Sequence, residues 1–156
     1  GYECSPDGTM IALMRENNVI LWDVQSRRPR FHLAGHINGV NAVAFSPAEP
    51  LLASASGDRS IVLWNLETGR ERARLVGQRD AVDALAFSPD GRTLAVASRN
   101  NGINVWHIPT GILMGRISPY GQTEITFVSN GRHLVGFLDR VRLISLNAVP
   151  SEDHAE

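Results

Sequence analysis

Ser54, His36 and Asp58 supply the three side-chain types of a hydrolase triad, in which a histidine takes a proton from a serine and a carboxylate orients the ring. That chemistry needs the serine to face an open cleft. Ser54 instead falls inside the apolar run LLASAS (51–56), which reads as a strand, so the three are expected to hold structure rather than to catalyse. His32 and His36 stand four apart, a spacing that would bring both rings to one side of a helix and onto a zinc ion. The intervening Leu33-Ala34-Gly35 reads as the end of a strand, where that geometry is lost, and His107, His133 and His154 have no partner at ligand spacing. The fifteen basic residues are all arginine, which excludes a lysine Schiff base or a lysine general base. No phosphate-cradling loop is present, the fourteen glycines marking turns. No catalytic residue, metal ligand or cofactor site is assigned.

The elements that carry these residues follow from an internal repeat. Trp22, Trp64 and Trp106 are 42 residues apart, and Ser5-Pro6, Ser46-Pro47 and Ser88-Pro89 recur at 41 and 42. Aligning the copies gives blocks at residues 2–36, 37–78, 79–118 and, more weakly, 119–148, where Ile144 stands in the tryptophan position. Each block reads as short strands between turn residues. In the second these are Val40 to Ser46, Leu51 to Ser56, Ile61 to Leu66 and the polar Glu71 to Leu75; in the third they are Val82 to Ser88, Leu94 to Ser98, Ile103 to Ile108 and Leu113 to Ile117. No segment carries a helical period.

Small Ala42, Ala44, Ala84 and Ala86 alternate with bulky Val43, Phe45, Leu85 and Phe87, so both faces of these strands are apolar and each small sheet is expected to be sandwiched between neighbours. Four-stranded antiparallel sheets of about 40 residues, apolar on both faces and repeated along the chain, predict an all-β fold of about four propeller blades, a partial or half propeller. The polar fourth strand, with Arg70, Arg72 and Arg74, is expected at the outer edge. Trp22, Trp64, Trp106, Phe45, Phe87 and Phe127 recur at strand positions that predict core filling. Cys4 aligns with Phe45 and Phe87 and is expected to be a buried small hydrophobe.

With Gly35-His36 opening the second block, Trp64-Asn65 near its end and Trp22-Asp23 in the first, the chain resembles the WD-repeat family over residues 2–118, and loosely over 119–148. The resemblance implies a structural hydrogen-bond tetrad inside the second blade, made by His36, Ser54, Asp58 and Trp64. Inside a packed blade polar groups must be paired, because an unpaired one costs roughly 1–3 kcal/mol. At the same offsets the third block has Gln78, Val96, Asn100 and Trp106, and the first has Ala12, Glu16 and Trp22, so the second blade is expected to be the best ordered.

A net charge of −1, with 15 basic and 16 acidic residues interspersed, creates no global field toward nucleic acid or a membrane, and neither is expected as a partner. The single cysteine fits a reducing compartment, the cytoplasm by default, and no apolar stretch approaches the roughly 20 residues of a membrane span or forms a signal peptide. Arg15, Arg59, Arg99 and Arg140 lie in loops that the resemblance places on one rim, joined by Arg79 from an adjacent loop. Gathered there they would suit a protein or peptide partner that is acidic or phosphorylated, through bidentate hydrogen bonds.

Residues 1–148 are thus read as a propeller segment and 149–156 as a polar tail. Four copies sit at the lower limit of the roughly 4–8 over which propellers close, so a piece of a longer propeller is preferred over a homodimer of half-rings and over a closed four-bladed monomer. The function expected is a non-catalytic protein-interaction scaffold. The alternative is an accessory propeller of a multidomain enzyme (hydrolase, kinase or nucleotide-hydrolysing signalling protein) whose catalytic domain lies outside these residues.

Overall fold

The computed structural model describes residues 1–98, 100, 102–117, 124–128, 131–137 and 141–146, with backbone only at 137 and 141–145. Among the described residues the regular elements are strands, with no α-helix. They are β1 (Tyr2–Cys4), β2 (Met10–Arg15), β3 (Asn18–Asp23), β4 (Arg28–Ala34), β5 (Val40–Phe45), β6 (Leu51–Ser56), β7 (Ile61–Asn65), β8 (Arg70–Leu75), β9 (Ala84–Phe87), β10 (Thr93–Ser98), β11 (Gly102–His107), β12 (Ile112–Ile117), β13 (Glu124–Val128), β14 (His133–Phe137) and β15 (Val141–Ser145). Consecutive strands pair antiparallel into four separate sheets, β1–β4, β5–β8, β9–β12 and the three-stranded β13–β15.

Register explains why the repeat is visible at all. Cys4 pairs with Ile11 and Ile11 with Trp22; Phe45 pairs with Leu52 and Leu52 with Trp64; Phe87 pairs with Leu94 and Leu94 with Trp106; and Phe127 pairs with Leu134 and Leu134 with Ile144. Each sheet therefore presents the same row of large apolar residues on one face. Just before the tryptophan of each of the first three sheets, the pairing of third and fourth strands slips by one residue, between Leu21 and Trp22, Leu63 and Trp64, and Val105 and Trp106. Such a bulge re-aims the following side chain and bends the strand.

Successive side chains point to opposite faces, and three cores result. Ala12, Val19, Leu21 and Leu33 of the first sheet pack on Phe45, Leu52, Val62 and Trp64 of the second. The opposite face of the second sheet, with Leu51, Ala53, Ala55, Ile61 and Leu63, packs on Leu94, Val96 and Trp106 of the third. Ala95, Ala97, Ile103 and Val105 then meet Leu134, Ile125 and Phe127 of the fourth. Small residues on one face admit the large row of the next. The arrangement is that of propeller blades side by side, and among the described residues no core joins the fourth sheet back to the first.

Cys4 departs from its expected burial: it is exposed. Phe45 and Phe87, with which it aligns, each lie on the face that meets the preceding sheet, and among the described residues no sheet covers the corresponding face of the first. The first strand of the third sheet is also shorter than expected, because Val82 directs its N–H to the Ser56 carbonyl of the neighbouring sheet at 3.5 Å, outside the β9–β10 pairing.

Candidate functional site

Two places in the fold gather the residues singled out from the sequence. The first lies within the second sheet, where β6 carries Ser54, the β6–β7 turn carries Asp58, β7 carries Trp64, and the β4–β5 loop brings His36 over them. The indole Nε1 of Trp64 donates to Ser54 Oγ at 2.8 Å. His36 Nε2 lies 2.8 Å from the same oxygen, and His36 Nδ1 lies 3.0 Å from Asp58 Oδ2. Because an ionised carboxylate only accepts, the proton belongs on Nδ1, and Ser54 donates its own to Nε2.

These distances match the connectivity of a serine nucleophile with its base and orienting acid, so burial and the fourth partner decide what the cluster can do. Ser54 is 0% exposed, and one of its lone pairs is taken by the tryptophan N–H. A nucleophile needs a path to substrate. A fully enclosed serine already bonded on both sides works as a structural bridge between two strands and a loop.

Two residues that sequence reasoning left out complete the cluster. Ser60 donates to Asp58 Oδ1 at 2.7 Å, and Arg74 Nη1 donates to Ser60 Oγ at 3.2 Å. The other end of the Arg74 guanidinium reaches the Gly35 carbonyl at 3.0 Å and Glu71 Oε2 at 2.6 Å. Arg74, expected at the outer edge, thus ties the outermost strand to the loop that delivers His36. Its counterpart Arg116 reaches the Gly77 carbonyl in the third sheet at 3.5 Å, and the 42-residue recurrence of that arginine and that glycine is the signal that could have exposed the contact.

Burial pushes the Asp58 carboxyl upward, but the Ser60 hydroxyl, the amides of Ile37 and Ser60 and the His36 ring outweigh it and hold the pKa at about 2, below the ordinary 3.8. A depressed carboxylate contributes stability that is present above the unfolded value and lost as pH falls through the folded one. The difference in melting temperature between the native protein and Asp58→Asn is therefore expected to be constant above about pH 4 and to shrink toward pH 2. Thermal melts across that range check it, and a constant difference down to pH 2 would contradict it.

The third sheet shows what happens when the cluster is incomplete. Val96 occupies the Ser54 position, and among the described residues the buried Nε1 of Trp106 has no partner; nor do Gln78 Nε2, Asn104 Oδ1 and Ser98 Oγ. Asn104 and Gln78 bond to each other, and Asn100 turns outward to Asp80 at 2.7 Å. Trp106→Phe, which removes a donor that is already orphaned, is expected to cost about 1–2 kcal/mol less than Trp64→Phe, which breaks a made bond. Urea titrations of the two variants make the comparison, with loss of ring area common to both.

The second place is the rim formed by the β2–β3, β4–β5, β6–β7 and β8–β9 loops. Val40 N–H donates to the Glu16 carbonyl at 2.7 Å, Gly57 N–H to that of Gly39 at 3.0 Å, and Asn17 Nδ2 to that of His36 at 3.2 Å. Neighbouring sheets therefore share one stitched surface. Arg59 and Arg79 are exposed on two of its loops, and the exposed Arg15, expected in a loop, is instead the last residue of β2, paired with Asn18 of β3; Arg99 and Arg140 lie outside the described residues. Arg59 is held at a φ of 68°, in the left-handed region that non-glycine residues seldom occupy. Asp80 lies close enough for the Arg59 charge to help hold its pKa down, behind the larger effects of Asn100 and the Ala81 amide. Asp58, the residue before Arg59, accepts the N–H of Ile37, whose side chain is 90% exposed.

Comparison with known proteins bears on the same residues. The family model for the WD domain, G-beta repeat, matches residues 27–65 and 69–107. The chain belongs to the WD-repeat family. Each matched WD repeat joins the outer strand of one sheet to three strands of the next, so the sequence unit is offset from the blade by one strand. Among curated relatives, the U5 small nuclear ribonucleoprotein 40 kDa proteins of Homo sapiens and Mus musculus are each 46% identical over 56 residues, which is 35% of this chain and 16% of the relative. The protein of the same name from Dictyostelium discoideum is 38% identical over 45 residues, 29% of this chain and 13% of the relative. The match thus spans less than a fifth of the length of these relatives.

These relatives correct the expected cytoplasmic location, since their name assigns them to a small nuclear particle. Cysteine content could not have separated the two, because cytosol and nucleus both keep thiols reduced.

Proposed function

We propose that this WD-repeat chain is a non-catalytic scaffold that binds protein through the stitched rim, with Arg15, Arg59 and Arg79 as contacts for an acidic or phosphorylated segment and Arg99 and Arg140 extending the same set. The observation that carries the reading is the exposed Arg59, held at a φ of 68° one residue after Asp58, whose carboxylate bonds the loop that carries the exposed Ile37. Strain of this kind costs about 1–3 kcal/mol and persists where the surroundings over-determine it. An exposed cation and an exposed apolar side chain on two loops joined by a hydrogen bond fit a peptide that carries a carboxylate or phosphate and an apolar residue.

The relatives are named for a ribonucleoprotein, and holding proteins together within such a particle is the same kind of work; with mixed charges and a net charge of −1, this chain is read as contacting protein there rather than nucleic acid. The reading of an accessory propeller for an enzyme receives no support from these relatives.

The expected outcome is that Arg59→Glu combined with Arg99→Glu weakens capture of the natural partner at least about tenfold, the equivalent of 1.4 kcal/mol, while the melting temperature stays within about 2 °C of the native value. Affinity capture from extracts of the source cells, quantified for both proteins, reads it. Unaltered capture by the folded variant would remove the arginines from the function.

A further inference from the structure

We infer that the groove between the β1–β2 and β5–β6 turns binds a lysine side chain of a partner protein. It lies at the ends of the strands opposite the arginine loops, so it stands apart from the rim reading. Its origin is visible in the register. Cys4, Phe45, Phe87 and Phe127 hold one position in the four sheets, and four residues further on stand Gly8, Glu49, Gly91 and Gly131. The three glycines have φ values of 71°, 69° and 85°, in the left-handed region. Gly91 and Gly131 also settle onto the turn of the preceding sheet. A Cβ at Gly91 would fall 2.7 Å from Ala48 Cβ and 2.9 Å from Ser46 Oγ, and one at Gly131 would fall 3.3 Å from Pro89 Cδ. In the second sheet Glu49 takes the place of the glycine, with Pro47 and Pro50 close on either side, and Ala48 replaces the aspartate found at Asp7 and Asp90. This turn does not close over the turn of the first sheet, and a groove of about 320 Å³ remains between them.

The lining defines the occupant. Phe45 and Leu66 are buried against the groove, and the rings of Pro6, Pro47 and Pro50 are exposed along it, which together offer an apolar bed for an alkyl chain. Two carboxylates border that bed. Glu49 already holds the Arg72 guanidinium at 2.6 Å. Asp7 is exposed, and hydrogen bonds from Ser5 and Thr9 hold its pKa at about 2, so it carries a full negative charge at neutral pH. Those bonds, from Ser5 Oγ at 2.6 Å, Thr9 N at 3.0 Å and Thr9 Oγ1 at 2.8 Å, all end on Oδ1. Oδ2 is left to accept from a ligand. A guanidinium fork binds best across both oxygens of a carboxylate, whereas an ammonium is a point charge that needs one. An apolar bed ending at a single anionic oxygen therefore fits a four-carbon stem with an ammonium head. None of the 156 residues is lysine, so a second copy of them supplies no such group and the occupant belongs to a different segment. The volume lies near the lower end of the roughly 300–1,000 Å³ of ligand pockets, room for one long side chain and its flanking backbone.

The experiment is a chemical-shift titration of the isotope-labelled 156-residue protein with Nα-acetyl-lysine amide, with the arginine counterpart and the neutral Nα,Nε-diacetyl-lysine amide as comparisons. Saturable shifts are expected at the amides of Gly8, Ala48 and Glu49 and not at those of Arg59 and Arg79, with a dissociation constant of about 1–10 mM, the weak range of a single side chain. The arginine and diacetylated compounds are each expected to bind at least about tenfold more weakly. Asp7→Asn keeps an oxygen for Ser5 and Thr9 but removes the charge, and is expected to weaken lysine binding at least about tenfold. Ala48→Phe, at an exposed lining position, is expected to do the same by filling the groove, and serves if Asp7→Asn misfolds. Shifts that never saturate, shifts confined to the arginine loops, or equal affinity for the arginine or the neutral compound would each overturn the proposal. So would undiminished binding by folded Asp7→Asn or Ala48→Phe.

Discussion

Replacing Ser54 with alanine is expected to destabilise the protein by about 2–4 kcal/mol, because two buried groups lose their partner at once and each unpaired group costs roughly 1–3 kcal/mol. The Trp64 N–H would face a methyl group, and His36 Nε2 would accept from nothing. For a chain of this size the loss corresponds to a fall of roughly 5–15 °C in melting temperature. The effect should spread beyond β6, since His36 is the anchor of the β4–β5 loop and, with Arg74, of the outermost strand. Hydrogen exchange is the sharper readout: faster exchange is expected at Ile37, whose N–H bonds Asp58, and at Ser60. A variant with native stability would mean that the cluster is dispensable and that its geometry follows from the packing of the sheets alone.

Leu51→Ala and Leu52→Ala are each expected to cost about 2–5 kcal/mol, the usual range for emptying a packed leucine site, yet to loosen different parts of the molecule. The two residues are adjacent on β6 and both fully buried, but Leu52 belongs to the core between the first and second sheets and Leu51 to the core between the second and third. Exchange should therefore rise in β2 and β3 for Leu52→Ala, and in β10 and β11 for Leu51→Ala. Such a split follows only if each sheet is a layer with a neighbour on either side. Identical exchange patterns for the two variants would show that the cores open as one unit and that the layers have no separate stability.

Much of this could be read from residue order. The 42-residue spacing of the tryptophans and the alternation of alanine with large residues already dictated sheets packed on both faces, because a strand of that pattern has no polar side to give to water. The four members of the buried cluster were named by the resemblance to the WD-repeat family. Arg74 and Ser60 were not: an arginine in a polar outer strand looks like a solvated residue, and its reach to Gly35 spans 39 positions, so that only its recurrence with that glycine 42 residues on hints at the contact. Cys4 failed in the opposite way. Its alignment with Phe45 and Phe87 is correct, yet burial belongs to a pair of surfaces and not to a position in a repeat.

Residue order by itself determined the kind of element, the size of the repeating unit and the alternation of its faces, since each depends on side chains within a few residues of one another along a strand or across a turn. The tertiary structure decided that Ser54 is sealed between the His36 ring and the Trp64 indole, that Arg74 braces the loop above it, and that Cys4 is exposed. Those outcomes depend on which surfaces meet, and the free energy of a buried hydroxyl, guanidinium or indole is set by the groups folded against it rather than by its neighbours in the chain.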